Sequence, residues 1–581
     1  MNISYLKALK VLNLIDKKKA ITITYYLLAI LLCLSVIEAT VISSIYPVIE
    51  YLLDQESLIK YQEKFNQLSN SEIDYKNFPI YFFICVSSLF LVSAILQIFS
   101  IYFANKVKEE IAFSLKNKAL KQYFLKKMNF YEKNKVGDLI QRLLLHSTYC
   151  GEIVFFLITA LREFLIILVI YTFLLFLSLK YTIILTLFFF IIVIFIQKFG
   201  KKIVIGKANQ RNISQEKLFS ISNIIISAMK IIRIYGKKNY FINLYLKHSN
   251  DYKKREVYLQ TITNLPAIFL RFISFSTIIM LIYYITSKTN LDPAFYGVYF
   301  AAVYKINNSF GLLNNSLLGA NKVLPSLNIM KNEISKEVSK EALKDRDEKK
   351  LIQIYNFKKK IILKKAIFSH QNVKKPTLKI KNLKIKKGNI IGLIGDSGSG
   401  KSTLLDVLSG LKIPKKIQIN IDNKKNVNHK NINFSNFAYC NQNQYIFPGT
   451  IKQNIMFFDK IENKKRLDEV IDVCMLKKIF RSKSLSLNSK VYEKGNNLSG
   501  GQIQRIGLAR TLYFENEIIF LDEALNNVES KLENQILSNI FKFVKKYNKT
   551  LVMVSHNLNF LNKVDQIINI QDGINSNKKI N

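Results

Sequence analysis

The sequence is poor in cysteine, and this limits the kinds of site that it can build. Its five cysteines stand far apart, and no two of them form a C-x-x-C pair. Closely spaced cysteines are typical of structural zinc sites and of disulfide frameworks. We therefore expect neither a zinc site nor a disulfide-stabilised fold. The five residues are Cys33, Cys85, Cys150, Cys440 and Cys474.

Acidic residues are also scarce. There are 41 Asp and Glu against 85 Lys and Arg, which gives a formal net charge of +44. Such an excess is typical of proteins that bind nucleic acid or an anionic membrane surface. Here most basic residues are lysine and are spread along the chain, without an arginine-rich patch or a basic-aromatic module. Together with abundant Ile and Asn, this indicates an AT-rich genome, and we predict no nucleic-acid partner.

The first half of the chain contains long apolar runs. A helix needs about 20 apolar residues to cross a bilayer, and we predict spans at 22–49, 79–104, 155–179, 181–199, 262–286 and 294–325. Leu179 and Lys180 indicate a tight hairpin between the third and fourth spans. The basic, helix-periodic stretches 105–150 and 200–260 predict helices that extend into the cytosol. The expected domains are a membrane domain (1–330), a charged linker (331–350) and a soluble domain (351–581).

The distribution of loop charges predicts the orientation of these spans. Residues 1–20 have five basic side chains and one acid, residues 105–150 have ten against four, and the loop 54–78 has three against five. The first two segments are therefore predicted to be cytoplasmic, and the loop to be external with a short surface helix. No small-residue cleavage site follows the first apolar run, so we expect a retained N-terminus. Six spans then place both termini on the cytoplasmic side of the inner (plasma) membrane, with membrane lipids as neighbours.

A phosphate-binding loop stands near the start of the soluble domain. The segment NIIGLIGDSGSGKSTLLDVLSG predicts a strand, a glycine-rich loop and a helix, and it contains G-x-x-x-x-G-K-[ST]. In such a loop backbone N–H groups surround phosphates, the lysine reaches the β- and γ-phosphates, and the next hydroxyl binds Mg²⁺. The nucleotide-binding residues predicted here are Gly395, Asp396, Ser397, Gly398, Ser399, Gly400, Lys401, Ser402 and Thr403.

Two consecutive acids follow a second apolar strand. In EIIFLDEA the run Ile518 to Leu521 ends at Asp522 and Glu523. Beside a phosphate loop, an aspartate in this place is predicted to hold Mg²⁺. Glu523 is predicted to polarise the water that attacks the γ-phosphate.

The segment NLSGGQIQRIGLARTLY indicates the family. Its residues Leu498, Ser499, Gly500, Gly501 and Gln502 match the signature of the ATP-binding-cassette (ABC) ATPases, which the chain resembles over about 350–575. The resemblance implies an α/β P-loop ATPase that uses ATP and Mg²⁺. It also implies that the serine and glycines, at a helix N-terminus, face the ATP held by a second copy.

The resemblance assigns roles to further residues. Gln442 matches the family's glutamine that contacts Mg²⁺ or water, and His556 matches the histidine on the γ-phosphate. His370 stands where the family has an aromatic residue on adenine. Where the family has SALD, this chain has Asn526, Asn527, Val528 and Glu529, so a glutamate replaces the expected aspartate.

Six spans followed by one cassette resemble the exporter-type half-transporters over nearly the whole chain. The resemblance implies a second half-transporter, either another copy of this chain or a paralogue, because one cassette cannot complete its own ATP site. ATP binding would then close the cassettes and switch the membrane domain from inward- to outward-facing. A membrane-tethered regulatory ATPase is an alternative from another class, which the presence of Glu523, His556 and the spans disfavours.

Polar residues in the predicted spans suggest a substrate cavity, because such residues are costly in a bilayer and tend to face a cavity or each other. The candidates are Lys305, Arg271, Arg162, Glu38, Asn308 and Asn315. Alternatives remain open: the arginines can reach the membrane interface, Arg162 can pair with Glu163, and Glu38 can neutralise a basic neighbour.

Several cations around one cavity would favour an anionic headgroup. The pattern resembles the bacterial flippases that move lipid-linked oligosaccharides or lipid A. We therefore expect an anionic amphipathic lipid or glycolipid as substrate, with a lipid-linked oligosaccharide as the leading candidate. Export of drugs or peptides is the alternative within the transporter class.

Overall fold

The structure is a computed structural model. It describes residues 17–69, 77–126, 128–177, 179–288, 293–335, 358–369, 376–412, 414–422, 424–427, 437–482, 485–555, 562–571 and 573–578. Tertiary contacts divide the chain into two compact units, one of residues 1–126 and 131–337 and one of residues 127–130 and 338–581.

The N-terminal part of the chain is helical throughout the residues described. A 3₁₀ turn, Gln55–Leu58, precedes α3, and a π turn, Arg142–His146, joins α6 to α7. The helices are α1 (Lys17–Ser43), α2 (Ile45–Leu53), α3 (Ile59–Ser69), α4 (Phe78–Leu125), α5 (Met128–Lys133), α6 (Val136–Gln141), α7 (Ser147–Leu177), α8 (Leu179–Ser227), α9 (Met229–Ile234), α10 (Lys238–Lys288) and α11 (Pro293–Ser335).

The long helices exceed the length of a membrane span. Helices α4, α8, α10 and α11 have 48, 49, 51 and 43 residues, against the roughly 20 that a bilayer needs. In the part of the chain that the structure describes, three helical stretches are long and apolar enough to cross a membrane: Tyr25–Leu53, Phe78–Leu125 and Val136–Leu177. Each long helix therefore continues well past one membrane thickness.

Helix boundaries fall within the first predicted span and at the predicted hairpin. The first predicted span, 22–49, is broken by a turn at Ser44. Pro47 explains the break, because proline has no N–H and its ring clashes with the carbonyl four residues earlier. The predicted hairpin at Leu179 and Lys180 falls where α7 ends at Leu177 and α8 begins. Helix α3 lies in the loop for which a short surface helix is expected.

Helix α11 packs along α7 through residues that repeat every four positions, which places them on one face of each helix. The buried residues of this contact are Ile166, Ile170, Leu174, Val298, Ala302 and Ile306. Helix α11 also packs against α8 and α10. These contacts bring α7, α10 and α11 together around the polar residues discussed below.

The C-terminal unit is a ten-stranded sheet with helices. Its strands run in the order β5-β4-β1-β2-β12-β11-β3-β10-β9-β6, and β7 pairs with β8 in a second sheet. The strands are β1 (Lys360–Phe368), β2 (Leu378–Lys386), β3 (Ile390–Ile394), β4 (Lys416–Ile421), β5 (Lys424–Val427), β6 (Phe437–Cys440), β7 (Gly449–Thr450), β8 (Lys490–Val491), β9 (Ile518–Asp522), β10 (Thr550–Val554), β11 (Gln566–Gln571) and β12 (Ile574–Lys578). The helices are α12 (Lys401–Leu408), α13 (Ile451–Ile455), α14 (Lys464–Val473), α15 (Leu476–Ser482), α16 (Gly500–Tyr513) and α17 (Ser530–Lys546).

Burial patterns explain the two kinds of strand. Every residue of β9 and β10 is buried, as in a parallel sheet with both faces covered, whereas β2 alternates between buried and exposed positions. Strands β11, β3, β10, β9 and β6 are parallel neighbours. Their carboxyl ends therefore lie along one edge of the sheet, where α/β proteins place their ligand sites.

Candidate functional site

The phosphate loop connects β3 to α12 through glycines that no other residue could replace without strain. Gly395 has φ of 145°, and a Cβ on it would collide with the Ile570 carbonyl oxygen. Gly400 has φ of 102° and is the N-cap of α12. Both values lie in the region that favours glycine. These glycines let the chain turn tightly between β3 and the N-terminus of α12, where an anion is stabilised.

The loop fits the phosphates of ATP. Lys401 is 7% exposed, and its Nζ donates to the carbonyl oxygens of Gly395 and Asp396, both at 2.8 Å. The buried Ser399 hydroxyl has no hydrogen-bond partner among the residues described. A buried polar atom without a partner is costly, and a phosphate oxygen would satisfy it. Asp396, Ser397 and Ser402 are exposed.

Ser402 and Asp522 meet at the edge of the sheet and fit a magnesium ion. The Ser402 hydroxyl donates to Asp522 Oδ1 at 3.1 Å. Burial raises the pKa of Asp522, hydrogen bonds from Ser402 and Tyr439 lower it, and the charges of Glu523 and Asp406 raise it further. A hydroxyl and a carboxylate are ligands that Mg²⁺ prefers. Bound Mg²⁺ would neutralise charge on the transferred phosphoryl group.

Tyr439 is a site residue that the sequence analysis missed. Its hydroxyl lies 3.3 Å from Asp522 Oδ2 and 3.2 Å from Asp406 Oδ1, so one proton is shared between two carboxylates. Burial and the two negative charges raise the pKa of Tyr439 well above its ordinary value, so the hydroxyl stays protonated. The sequence carried no signal for it, because Tyr439 reaches Asp522 only through the pairing of β6 with β9.

Two amide side chains hold the carboxylate of Glu523. Gln442 Nε2 donates to Glu523 Oε2 at 2.9 Å, and Asn526 Nδ2 donates to the same oxygen at 2.6 Å. Glu523 has φ of 50°, an uncommon value for a residue with a side chain, and its N–H donates to the Val554 carbonyl at 3.1 Å. The structure therefore brings together three of the predicted residues and fixes the direction of the carboxylate that would polarise water.

The signature segment caps α16 and touches the segment 526–529. Ser499 and Gln502 form a capping box, in which each side chain accepts from the backbone N–H of the other residue. A Cβ on Gly501 would lie 2.9 Å from the Asn527 carbonyl oxygen, and Gln504 Oε1 accepts from the Asn527 N–H at 2.8 Å. The signature residues and segment 526–529 are therefore mechanically linked within one chain.

The remaining predicted residues of this unit differ in how they are placed. Leu498 and Val528 are half-buried, whereas Ser499 and Gly500 are exposed. Glu529 is the N-cap of α17, and its side chain makes no capping hydrogen bond. His370 and His556 lie outside the described residues, so the adenine and γ-phosphate roles stay predictions.

In the helical unit, Lys305 and Glu38 form an ion pair. Lys305 Nζ lies 2.7 Å from Glu38 Oε2, and the other Glu38 oxygen accepts from Ser93 and Gln97. The structure therefore shows the alternative in which Glu38 neutralises a basic neighbour, within a cluster of paired polar groups. The physical reason is that an isolated charge is expensive in a low-dielectric interior, so opposite charges pair. Asn308 is exposed.

Arg162 is also paired. Its Nη2 and Nε lie 2.8 Å and 3.0 Å from Glu163 Oε1, and its Nη1 donates to the Ser100 hydroxyl at 3.3 Å. Of the alternatives considered from the sequence, the structure shows the Arg162–Glu163 pair and the neutralised Glu38. Arg271 is exposed on α10.

A cavity of about 310 Å³ lies between α7, α10 and α11. Arg162 and Asn315 line it. Among the residues that the structure describes, its walls do not include Lys305, Arg271, Glu38 or Asn308. The sequence analysis missed Gln260 and Asn264 of α10, and the available signal was their spacing of four residues at the start of the fifth predicted span.

Comparisons with known proteins agree with this arrangement. A family profile described as "ABC transporter" matches residues 378–526, and one described as "ABC transporter transmembrane region" matches residues 19–292. The chain is an ABC transporter. It has a transmembrane domain and an ATP-hydrolysing domain, and it is a half-transporter of the exporter type, so it dimerises with a second half-transporter. The predicted fold class is confirmed.

Individual relatives differ in what they are named for. The transporter is 26% identical to an "ATP-dependent lipid A-core flippase" of Wigglesworthia glossinidia brevipalpis, over 82% of this chain and 81% of that protein. It is 29% identical to the "Multidrug resistance-like ATP-binding protein MdlA" of Buchnera aphidicola subsp. Baizongia pistaciae, over 77% of each. Its fold matches a bacterial Atm1-family ABC exporter with ATP bound, with a TM-score of 0.78, 14% identity and coverage of 97% and 95%.

Proposed function

We propose that the transporter is a homodimeric flippase that moves an amphipathic glycolipid across the inner membrane. The observation that supports this best is the cavity between α7, α10 and α11, which has two kinds of wall. Phe155, Phe156 and Leu312 form an apolar wall, and amide and hydroxyl side chains form a polar one. Such a lining suits a molecule with an apolar tail and a polar head, because each part finds a matching surface.

The pairing of charges changes what we expect of the polar head of the transported lipid. Arg162 pairs with Glu163, Lys305 pairs with Glu38, and Lys322 pairs with Glu256 at 2.8 Å. Each of these three cations already has a carboxylate partner, so none is left unpaired to balance a buried anion. The proposal therefore keeps a glycolipid such as a lipid-linked oligosaccharide as cargo, but it no longer requires the anionic group to enter this cavity.

The relatives support transport of an amphiphile in two different ways. One is named a lipid A-core flippase, and another is named multidrug resistance-like. Export of apolar drugs is therefore the second candidate. It predicts that drugs stimulate ATP hydrolysis and that glycolipids leave it unchanged.

The proposed ATP site belongs to two copies of the chain. Ser402, Asp522 and Gln442 would hold Mg²⁺, Lys401 would bind the phosphates, and Glu523 would orient the attacking water. Ser499 and Gly500 are exposed, which suits contact with the nucleotide of a second copy. The loop charges favour an inner-membrane location with both termini in the cytoplasm.

The proposal is tested with purified protein in proteoliposomes. A fluorescent polyprenyl-pyrophosphate glycan is placed in the outer leaflet of inside-out vesicles, and its protection from a membrane-impermeant quencher is followed after ATP is added. We expect ATP-dependent protection that the Glu523→Gln variant lacks. Protection that is equal with and without ATP, together with hydrolysis that only drugs stimulate, would overturn the flippase assignment. Static light scattering of the purified protein checks for a homodimer.

A further inference from the structure

The cavity between α7, α10 and α11 is lined by six neutral hydrogen-bonding side chains. Its amides are Gln260, Asn264 and Asn315. Its hydroxyls are Thr159, Thr263 and Ser316. An amide offers both donors and acceptors, and a hydroxyl is itself both. The cavity therefore holds several groups that can each donate and accept hydrogen bonds.

Part of this hydrogen-bonding capacity is unused inside the chain. Asn315 Oδ1 is a buried acceptor without a partner among the residues described. By contrast, the Thr159 hydroxyl donates to Ser316 at 3.0 Å, and Gln260 donates to Glu256 at 3.0 Å. An unsatisfied buried acceptor is destabilising unless a ligand or water completes it. A ligand group that donates a hydrogen bond to Asn315 Oδ1 would therefore be stabilised in the cavity.

Each cation that lines the cavity is paired with a carboxylate, and the Glu256 carboxylate is shared between Lys322 and Arg211. The Arg162 guanidinium is 2.8 Å from Glu163, and Lys322 Nζ is 2.8 Å from Glu256. An anion that entered would lose its hydration without meeting an unpaired cation, and this costs free energy. A neutral polar group loses less hydration and regains it through the amides.

The apolar wall contains two aromatic rings, and one of them packs closely against α11. A Cβ on Gly319 would lie 2.7 Å from the Phe156 ring, so this glycine lets the ring lie directly against α11. Phe155 stands beside it in the same wall. Aromatic rings offer a flat apolar surface, which suits the C–H face of a sugar ring or the first carbons of an acyl chain. The volume of about 310 Å³ lies at the small end of ligand pockets.

We infer that this cavity binds the uncharged, polyhydroxylated head of an amphiphile, with Asn264 and Asn315 as specificity-determining residues. The inference rests on the proposed export function and deepens it, because it names the chemistry of the group that the cavity selects. The paired Arg162 and Glu163 orient the hydroxyls and exclude a net charge. The anionic linker of a lipid-linked saccharide would then remain outside the cavity.

The absence of tryptophan from the chain makes a direct test possible. The chain contains no Trp, so Phe155→Trp adds a single fluorescent reporter to the wall of the cavity. The full-length variant, in nanodiscs, is titrated below micelle-forming concentrations with probes that share one alkyl chain. These are dodecyl maltoside (uncharged sugar head), dodecyl phosphate (anionic) and dodecylphosphocholine (zwitterionic). Free maltose separates the contribution of the head from that of the tail.

We expect saturable binding of dodecyl maltoside that is at least about tenfold tighter than that of either charged probe, with maltose weaker still. In the same background, Asn264→Leu and Asn315→Leu should each weaken the binding of dodecyl maltoside by about tenfold. This change corresponds to the loss of one or two hydrogen bonds. Asn250→Leu is the matched control, because Asn250 is exposed on α10 outside the cavity. Glu163→Gln should tighten the binding of dodecyl phosphate by about tenfold, since it leaves Arg162 without its counter-charge.

Tighter binding of dodecyl phosphate or dodecylphosphocholine than of the maltoside would overturn the inference. So would equal titrations for the Asn250, Asn264 and Asn315 variants, which would indicate partition into the lipid. Failure of the export proposal is distinguishable from this result. If maltoside binding follows the two asparagines but no glycolipid is translocated, the cavity assignment stands and the flippase assignment falls. If translocation occurs and the asparagine variants titrate like the parent, only the cavity assignment falls.

Discussion

Lys305 Nζ lies 2.7 Å from Glu38 Oε2, so the lysine deepest in the sixth predicted span is paired with an acid in the first. Ser93 and Gln97 of α4 donate to the other oxygen of that acid. Three helices, α1, α4 and α11, are therefore joined by one polar cluster. From the sequence alone, Lys305 looks available for an anionic substrate. In the structure it takes part in the packing of the helices.

This pair predicts strong coupling between its two partners. Lys305→Met and Glu38→Gln should each lower the melting temperature, because each leaves a charge without its counter-charge, and the double variant should recover most of the loss. The coupling energy should be about 0.5–3 kcal/mol. Unfolding is followed with a thiol-reactive dye on the buried Cys150, with the other four cysteines replaced by serine. Additive losses in the double variant would show that the two residues act independently.

The geometry around Glu523 predicts a separation of ATP binding from hydrolysis. Glu523→Gln preserves the shape of the side chain but removes the carboxylate that polarises water, so hydrolysis should fall by at least about a hundredfold. ATP affinity, measured with a fluorescent analogue, should stay within about twofold. Glu515→Gln on the exposed surface is the control. Normal turnover by the Glu523 variant would contradict the role proposed here.

Tyr439 predicts a shift in magnesium requirement and pH dependence. The hydrogen bond from Tyr439 lowers the pKa of Asp522, so Tyr439→Phe should raise that pKa. Because Mg²⁺ binds the carboxylate form, the acidic limb of the ATPase profile should move to higher pH. The Mg²⁺ concentration for half-maximal rate should rise about 2- to 10-fold, which corresponds to one hydrogen bond.

A matched control separates this effect from a general loss of packing. Tyr445 is 46% exposed, so Tyr445→Phe should leave both the pH profile and the Mg²⁺ requirement unchanged. If Tyr439→Phe lowers the maximal rate at every pH without moving the acidic limb, Tyr439 does not act through Asp522.

Replacing Asp522 by asparagine should raise the stability of the ATPase unit and abolish its activity. Burial raises the pKa of Asp522 in the folded protein above its unfolded value. The stabilising contribution of the protonated form is present below the unfolded pKa and is lost as the pH rises through the folded pKa. Asp522→Asn avoids that loss, so at neutral pH without nucleotide or Mg²⁺ it should melt a few degrees higher than the parent. The difference should vanish at low pH, and hydrolysis should be abolished.

The cysteines of the ATPase unit provide the measurement. Cys440 and Cys474 are fully buried, and burial raises the pKa of the Cys440 thiol to about 12, so both react with a dye only after the unit unfolds. Cys33, Cys85 and Cys150 are replaced by serine. A lower melting temperature of Asp522→Asn at neutral pH would show that the carboxylate stabilises the fold.

The unusual Glu529 predicts a gain from restoring aspartate. Glu529 is the N-cap of α17 but makes no capping hydrogen bond, and aspartate is among the preferred N-cap residues. Glu529→Asp should therefore stabilise the ATPase unit by about 0.5–1 kcal/mol. Glu529→Ala is the comparison, and it should leave the stability near that of the parent. Equal melting temperatures for the Asp and Ala variants would mean that the cap does not form.

Local motifs were predictable because their chemistry depends on short spacing along the chain. The phosphate loop, the acids at the end of β9 and the signature helix lie where the sequence indicates, since a strand followed by glycines and a helix leaves few backbone solutions. The order of a helical unit and an α/β unit was predictable for a related reason, because runs of apolar residues and short alternating strands differ strongly in composition. The break at Ser44 is the exception, and Pro47 was its visible signal.

Long-range pairing could only be decided by the tertiary structure. The sequence by itself determined that Glu38, Arg162 and Lys305 are charges within apolar segments and that Asn315 faces the same side of a helix as Lys305. Which charges meet depends on how α1, α4, α7 and α11 pack, and this is set by the fit of many apolar side chains. The same is true of Tyr439, whose hydroxyl reaches Asp522 because β6 lies beside β9. In the structure Glu38 and Lys305 therefore meet in one cluster, and Arg162 lines the cavity as a partner of Glu163, because opposite charges in a low-dielectric interior are stable only when paired.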